Sequence, residues 1–486
     1  MKMRKTASVL LTLLAVLSAS AVSSCGEAAS PVSDNTAPAE TEAEPAETVD
    51  PEAPEIRDLG GYEFVANVRS DMTGNASFAC EYFSSEGENG ESINDAVFRR
   101  NSEIEDTFNC KIVKRDSTGE QYLEISRSVQ AGEALECAVV LGTNAASLAQ
   151  EGMLLDLYET SIDFSKRCWD KNAIDSFAIG GHMYLITGDM NISTWDVTRV
   201  SVFSKKLVSD LDLDDPYQLV RDGKWTLDRM ISMALSANVD LDNDGKITKD
   251  DQVGLYIYNW APEYYVYGAG ERVSTMDADG YPVFSVFNER SAEVFNKIYD
   301  ICTQTRTDTA GGFSGDQKAA FTVDRCLFTQ FSVWDIRKDL RTSCQNDFGI
   351  LPIPKYDDAQ EDYYNLVTFQ NCTHLWCIPV TCSDPAKASV VFEALGYYST
   401  DTLRAAYYDT TLQGKVLRDN DSAEMLDIIF ANRIYDLALI YNWGKWDDYL
   451  CNARTAKNNF ASTYEKKLPQ TEEEIAKTVE AYQSVG

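Results

Sequence analysis

An α/β fold with a largely parallel sheet is what residues 61–157 predict, on two observations. Strand-like and helix-like stretches alternate there, and each kind carries its own apolar periodicity. GYEFVANV (61–68) alternates and is rich in β-formers, so it reads as a strand. SINDAVFRRNSEIEDTF (92–108) sets Ile93, Val97, Ile104 and Phe108 at helical spacing. CKIVKRD (110–116) reads as the next strand and YLEISRSVQAG (122–132) as a helix. ECAVVLG (136–142) is a strand of the buried type, and SLAQEGMLLDL (147–157) a helix running into a short strand. Ligands of such sheets sit beyond the carboxyl ends of strands. The polar turn Thr143-Asn144, which follows ECAVVLG, is therefore a candidate contact.

The pattern continues less regularly. HMYLITGDM (182–190) and VTRVSVFSKKLV (197–208) read as extended, separated by the polar, aromatic piece NISTWD (191–196). Residues 214–237 read as helix, turn and helix, QVGLYIY (252–258) as a strand, and NWAPEYYVYGAGE (259–271) as a loop and helix of high aromatic density. A helix over 291–304 precedes KAAFTVDRCLFTQFSVWDIRKDL (318–340). FGILPIP, NLVTF and HLWCIPV are strand-like, and helices dominate from Asp384 to the end. There is no internal sequence repeat.

The N-terminus has a different composition. Lys2, Arg4 and Lys5 precede an apolar run from Val9 to Leu17 and then small residues, the pattern of a secretion signal over 1–24. That run is too short to span a bilayer as a mature helix. Val22-Ser23-Ser24-Cys25 resembles the lipobox of bacterial lipoproteins, which implies cleavage before Cys25 and its acylation. The acyl chains would hold the protein at the outer face of the cell membrane. Residues 25–56 are Ala, Pro, Thr, Ser and acids with no aromatic or basic residue, so they read as a disordered, self-repelling tether.

The chain carries 43 Lys+Arg against 77 Asp+Glu, a net of −34. Without the three basic residues of the signal it is −37, and setting aside the nine acids of the tether still leaves −28 on residues 57–486. A surface of that sign repels phosphates, so nucleic acid is excluded as a partner. The 12 cysteines are irregularly spaced, with no C-x-x-C, and the histidines are His182 and His374 alone, which argues against a zinc site. Most of the cysteines read as small buried hydrophobes. Cys372, Cys377 and Cys382 are close enough in sequence for a local bridge.

One motif carries metal chemistry. Asp240, Asp242 and Asp244, followed by Gly245, match the D-x-D-x-D-G pattern of a twelve-residue calcium loop. Three hard carboxylate oxygens meet on a tight turn, Lys246 offers its carbonyl, and Asp251 stands where the EF-hand pattern has Glu. Dockerin-type loops resemble this one in closing with Asp. Calcium in a structural role is the expectation; a solvated acidic turn is the alternative.

Taken together, INDAVFRRNSEIEDTFNCKI, WDKNAIDSFAIGGHMYLITGD, DDPYQLVRDGKWTLDRM, DNDGKITKDDQVGL and DFGILPIPKYDDAQEDYY resemble the extracellular solute-binding lipoproteins of ABC importers, the family-1 type akin to maltose-binding protein. The resemblance covers residues 57–486. It implies a two-lobed periplasmic-binding-protein-like fold of type II, each lobe a mixed sheet flanked by helices. Residues 57–190 and 372–425 would form lobe 1, and 191–371 and 426–486 lobe 2. It implies a monomeric receptor that is not an enzyme, closes on a carbohydrate and delivers it to membrane permease subunits. Sugar sites need aromatic platforms and polar edges. Carried over by position, the candidates are Thr143, Asn144, Asp189, Trp195, Asp196, Asn259, Trp260, Trp334, Asp335 and Trp443. Trp169, Trp225 and Trp376 are assigned to structure. The competing readings are an exported glycosidase-like enzyme using paired carboxylates, and a surface adhesion or assembly module, suggested by the dockerin-like loop.

Overall fold

Two sheets organise the chain. In sequence order the strands are β1 (Tyr62–Arg69), β2 (Cys110–Ser117), β3 (Cys137–Leu141), β4 (Arg199–Ser204), β5 (Val253–Ile257), β6 (Ser274–Met276), β7 (Pro282–Phe284), β8 (Arg306–Thr307), β9 (Cys326–Ser332), β10 (Phe348–Leu351), β11 (Asn365–Leu366), β12 (His374–Cys377) and β13 (Arg433–Ile434). These come from a computed structural model that describes residues 50–70, 79–117, 120–248, 250–257, 260–304, 306–307, 315–368, 373–409, 412, 417, 419–451 and 459–485. The signal, Cys25, most of the tether, Asn259 and Cys372 lie outside the described residues.

The first sheet runs β2-β1-β3-β12, with β1 parallel to β2 and β3, and β12 antiparallel to β3. The second runs β8-β5-β9-β4-β10, with β5 parallel to β8 and β9, and β4 antiparallel to both β9 and β10. Each sheet thus has three parallel strands in the same order, then one antiparallel strand that arrives from the other sheet. The sequence shows no repeat, yet the topology repeats, because strand order follows from burial and the handedness of connections rather than from residue identity. Every residue of β3 and of β9 is buried, as expected of parallel strands covered by helices on both faces.

The helices begin where local chemistry dictates. Asp384 caps the Lys387 N–H of the helix Pro385–Ser399, with Pro at its first position. Asp215 does the same ahead of Pro216–Arg221, and Thr226 caps Leu227–Ser236. That last helix lies so close to β5 that a Cβ built on Gly254 would stand 1.7 Å from the Ala234 carbonyl oxygen. Of the two runs read as extended, 197–208 yields β4 and then the helix Lys205–Asp210. The run 182–190 forms only isolated bridges, including Ile186 with Trp376.

Two boundaries differ from expectation. The helix Asn420–Ala431 packs against β10 of the second sheet. Its Ser422 Oγ accepts the Ile350 N–H at 3.3 Å and lies 2.8 Å from the Tyr217 hydroxyl. A division at residue 425 would cut this helix. The tether also ends earlier than residue 56. Tyr397 donates to Asp50 at 2.9 Å, the Arg167 amide donates to Glu52 at 2.9 Å, and Lys166 donates to the Ala53 carbonyl at 3.2 Å. A phenol, a backbone amide and an ammonium of the first lobe thus hold residues 50–53, which composition alone could not reveal. The nine described free cysteines are all buried, Cys377 and Cys382 among them.

Candidate functional site

One edge of each sheet faces the segments that join them. β3 and β9 end there, and β12 and β4, being antiparallel, begin there: His374 pairs with Leu141, and Arg199 with Ser332. Two crossovers tie these edges together. Thr198 bridges Val367, and the Asn365 amide donates to the Arg199 carbonyl at 2.8 Å. Asn191 donates to the His374 carbonyl at 2.7 Å and accepts from the Tyr82 hydroxyl at 2.6 Å. Every described ligand candidate except Trp443 lies along these edges or crossovers.

Thr143 and Asn144 follow β3, in the first turn of the helix Gly142–Gln150 rather than in a loose turn. Both are half-buried, at the end of the helix where backbone N–H groups point outward. Asp189, in the first crossover, accepts the Thr400 hydroxyl at 2.8 Å and lies 3.4 Å from Arg404. Burial raises its pKa, an effect that Arg404 and Thr400 partly offset. Asp196 is fully engaged: Arg337 grips both its oxygens, at 3.0 and 2.5 Å, and Tyr407 donates to it at 2.9 Å. These arginines and Tyr407 escaped the sequence reading.

The tryptophans divide sharply. Trp195 is 7% exposed and packs on Tyr407 at 5.2 Å and Phe430 at 6.1 Å, so its faces are taken by protein. Trp443 is 1% exposed, stacks on Tyr441 at 5.2 Å, and donates its indole N–H to Thr478 at 3.0 Å. In this structure both indoles are buried against protein neighbours. Asp335 has a local partner through one oxygen. Its carboxylate accepts the Ser332 hydroxyl at 2.6 Å and the Ser332 amide at 2.8 Å, closing a capping box at the end of β9. Trp169, Trp225, Trp376 and Trp446 are buried as well. Of the eight tryptophans, Trp260 and Trp334 alone are half-buried. Trp260 follows β5 and Trp334 follows β9, adjacent parallel strands. Both indoles thus follow neighbouring strands of one sheet, and neither is fully buried.

The metal loop lies elsewhere, between the helix Leu227–Ser236 and the start of β5. It is at the opposite end of β5 from Trp260. Carboxylate oxygens of Asp240, Asp242 and Asp244 lie within 4.8 Å of one another. Asp240 accepts the Gly245 N–H at 2.7 Å, and Gly245 sits at φ +82°, a conformation glycine adopts freely. The Asp244 amide lowers the pKa of Asp242, yet the net direction is upward, because burial and the Asp244 and Asp251 carboxylates oppose its charge. A divalent cation would relieve that repulsion, so the donor set fits calcium. Asp251 spends both oxygens inside the loop, on the Leu241 N–H and on Thr248. The Lys246 N–H donates to Asp244 at 2.8 Å.

No protein-family model and no curated protein matches the chain. Solved structures do match its fold. A cyclo/maltodextrin-binding protein complexed with maltotetraose aligns with TM-score 0.58 at 15% identity, covering 86% of this chain and 97% of that one. An extracellular solute-binding protein from Staphylococcus aureus in complex with maltose gives 0.58 at 12%, covering 86% and 98%. An ABC transporter solute-binding protein from Thermotoga lettingae bound to α-D-tagatose gives 0.52 at 12%, covering 86% and 100%. The chain has the two-lobed periplasmic-binding-protein-like fold of these proteins, with a mixed sheet in each lobe.

Proposed function

We propose that this chain is the substrate-capturing protein of an ABC importer, which binds a carbohydrate, specifically an oligosaccharide, between its lobes and hands it to permease subunits in the membrane. The observation that carries the reading is the distribution of tryptophans. Six are buried in protein, and the two left half-buried stand at the carboxyl ends of adjacent parallel strands, where an α/β sheet presents its ligand. Indole faces match the C–H faces of sugar rings. Thr143 and Asn144 supply polar edges from the opposite lobe, and Asp189 supplies a carboxylate from the crossover. The fold neighbours are sugar complexes, which agrees with this choice of ligand.

Acylation at Cys25 would hold the receptor on the extracellular face of the cell membrane as a monomer. Among the described residues no helix is long and apolar enough to cross a membrane. Calcium, held by Asp240, Asp242 and Asp244, staples the second lobe at the end of β5 remote from the indoles. The test is titration calorimetry and intrinsic fluorescence against a panel of oligosaccharides. One or more should bind without product release. Trp260→Ala and Trp334→Ala should each weaken binding about tenfold or more, since burying a large apolar face contributes ~1.5–3 kcal/mol and 1.4 kcal/mol is a decade. No heat across the panel refutes the reading, and turnover of a bound glycan would replace it with an enzyme.

A further inference from the structure

Asp196 attracts attention because it has nothing left to offer a ligand. It lies in the first crossover, its side chain 10% exposed, and its partner Arg337 is 8% exposed. Arg337 belongs to the second lobe, just after β9, while Tyr407 continues the helical segment that packs on the first-lobe helix Ser92–Phe108. One carboxylate therefore joins a second-lobe cation to a first-lobe phenol. The guanidinium also lies 5.6 Å from the centre of the Tyr407 ring, so the two side chains touch directly as well as through Asp196. The next residue repeats the reach: Lys338 pairs with Glu81 of the first lobe at 3.4 Å, in an exposed setting.

The backbone that carries these two residues is unusual. Ile336–Leu340 is a π-helical stretch, anchored by Ile336 and Leu340 in the core. A second π-helical stretch, Thr400–Arg404, immediately precedes the Tyr407 segment and holds Asp189 through Thr400 and Arg404. Such turns are rare and recur where a helix performs a task beyond packing. Here both of them serve a carboxylate of the same crossover.

We propose that Arg337 and Lys338 form a clasp, acting through Asp196, Tyr407 and Glu81, that sets the angle between the lobes in the absence of ligand. Arg337 is a positioning residue in this scheme and does not touch the guest. The buried half of the clasp supplies geometry, because a bidentate guanidinium–carboxylate pair has one favourable orientation. The exposed half is weak and salt-screened, so it adjusts the angle without locking it.

The test uses the mature chain with no sugar present, so its outcome is independent of the carbohydrate reading, which fails separately if wild type shows no binding heat. The double variant Asp196→Leu/Arg337→Met removes the charges together and keeps apolar volume, a replacement that buried ion pairs often tolerate. Lys338→Ala removes the exposed half alone. Small-angle scattering should give a larger radius of gyration for the double variant than for wild type, and a smaller increase for Lys338→Ala. Amide exchange over 190–198 should be faster in the double variant. If folded variants scatter and exchange as wild type does, the clasp is refuted. Should the double variant not fold, Lys338→Ala decides: an unchanged radius overturns the proposal.

Discussion

Glu263 offers a quantitative check of the electrostatics inside the second lobe. It lies in the first turn of the helix Ala261–Gly268, 3% exposed, with Oε1 unpartnered and Oε2 only 3.9 Å from the Cys451 thiol. Burial drives its pKa well above the ordinary glutamate value, and the Asp447 and Asp436 carboxylates push the same way against the opposing charge of Arg199. The folded chain thus holds this proton more tightly than the unfolded chain. The stability contributed by this group is fully present below the ordinary glutamate pKa and is lost as pH rises through the interval up to the raised folded value. The slope for one proton is at most about 1.4 kcal/mol per pH unit. With ~2.1 cal/mol/K per residue over about 430 residues, that is about 1.5 °C of Tm per pH unit. Glu263→Gln keeps the shape and removes the titration. Its Tm relative to wild type should therefore climb with pH, from near zero at pH 4, by up to that slope. Differential scanning calorimetry from pH 4 to 8 measures it. A Tm difference that stays flat with pH would refute the claim that Glu263 is buried in its protonated form.

Three further outcomes follow from packing and from the metal loop. Gly254→Ala forces β5 and the helix Leu227–Ser236 apart, because the new Cβ would meet the Ala234 backbone at 1.7 Å. Overpacking of this kind costs ~1–3 kcal/mol or more, read as a lowered denaturant midpoint. Trp443→Ala, at a site 1% exposed, should cost ~3–5 kcal/mol of stability and leave affinity for any bound glycan unchanged at temperatures where it is folded. Calcium at about 2 mM, with a Kd of ~10⁻⁴–10⁻³ M, should stabilise the chain by roughly 0.6–1.8 kcal/mol, or about 1–2 °C. Asp240→Ala should abolish that shift, and an equal shift in both proteins would refute the site.

Local elements were legible where one physical signal dominated. The helix at 92–108 and the strands near 62, 110 and 137 stand where periodicity placed them, because each buries a face that its own sequence spells out. The run 182–190 misled because an apolar alternating segment can meet isolated partners without a ladder. The hairpin β6–β7 was missed, since strands of three residues carry too little periodicity to register.

The candidate site was legible as a set of positions and illegible as a set of roles. Trp195, Trp334 and Trp443 are the same residue type in comparable aromatic surroundings, yet only Trp334 keeps an accessible face. What separates them is how many neighbours converge from distant parts of the chain. Asp196 likewise reads as a free acid until Arg337 and Tyr407 take both its oxygens.

By itself, the sequence determined the α/β character, the acidic charge, the metal-loop motif and the strongly periodic strands and helices, because those depend on residues close together in the chain. The tertiary structure alone decided which indoles remain available, which carboxylates are already paired, and where one lobe yields to the other. Those depend on contacts between residues as much as 347 positions apart, as in Asp50 with Tyr397, and no local pattern encodes such a meeting.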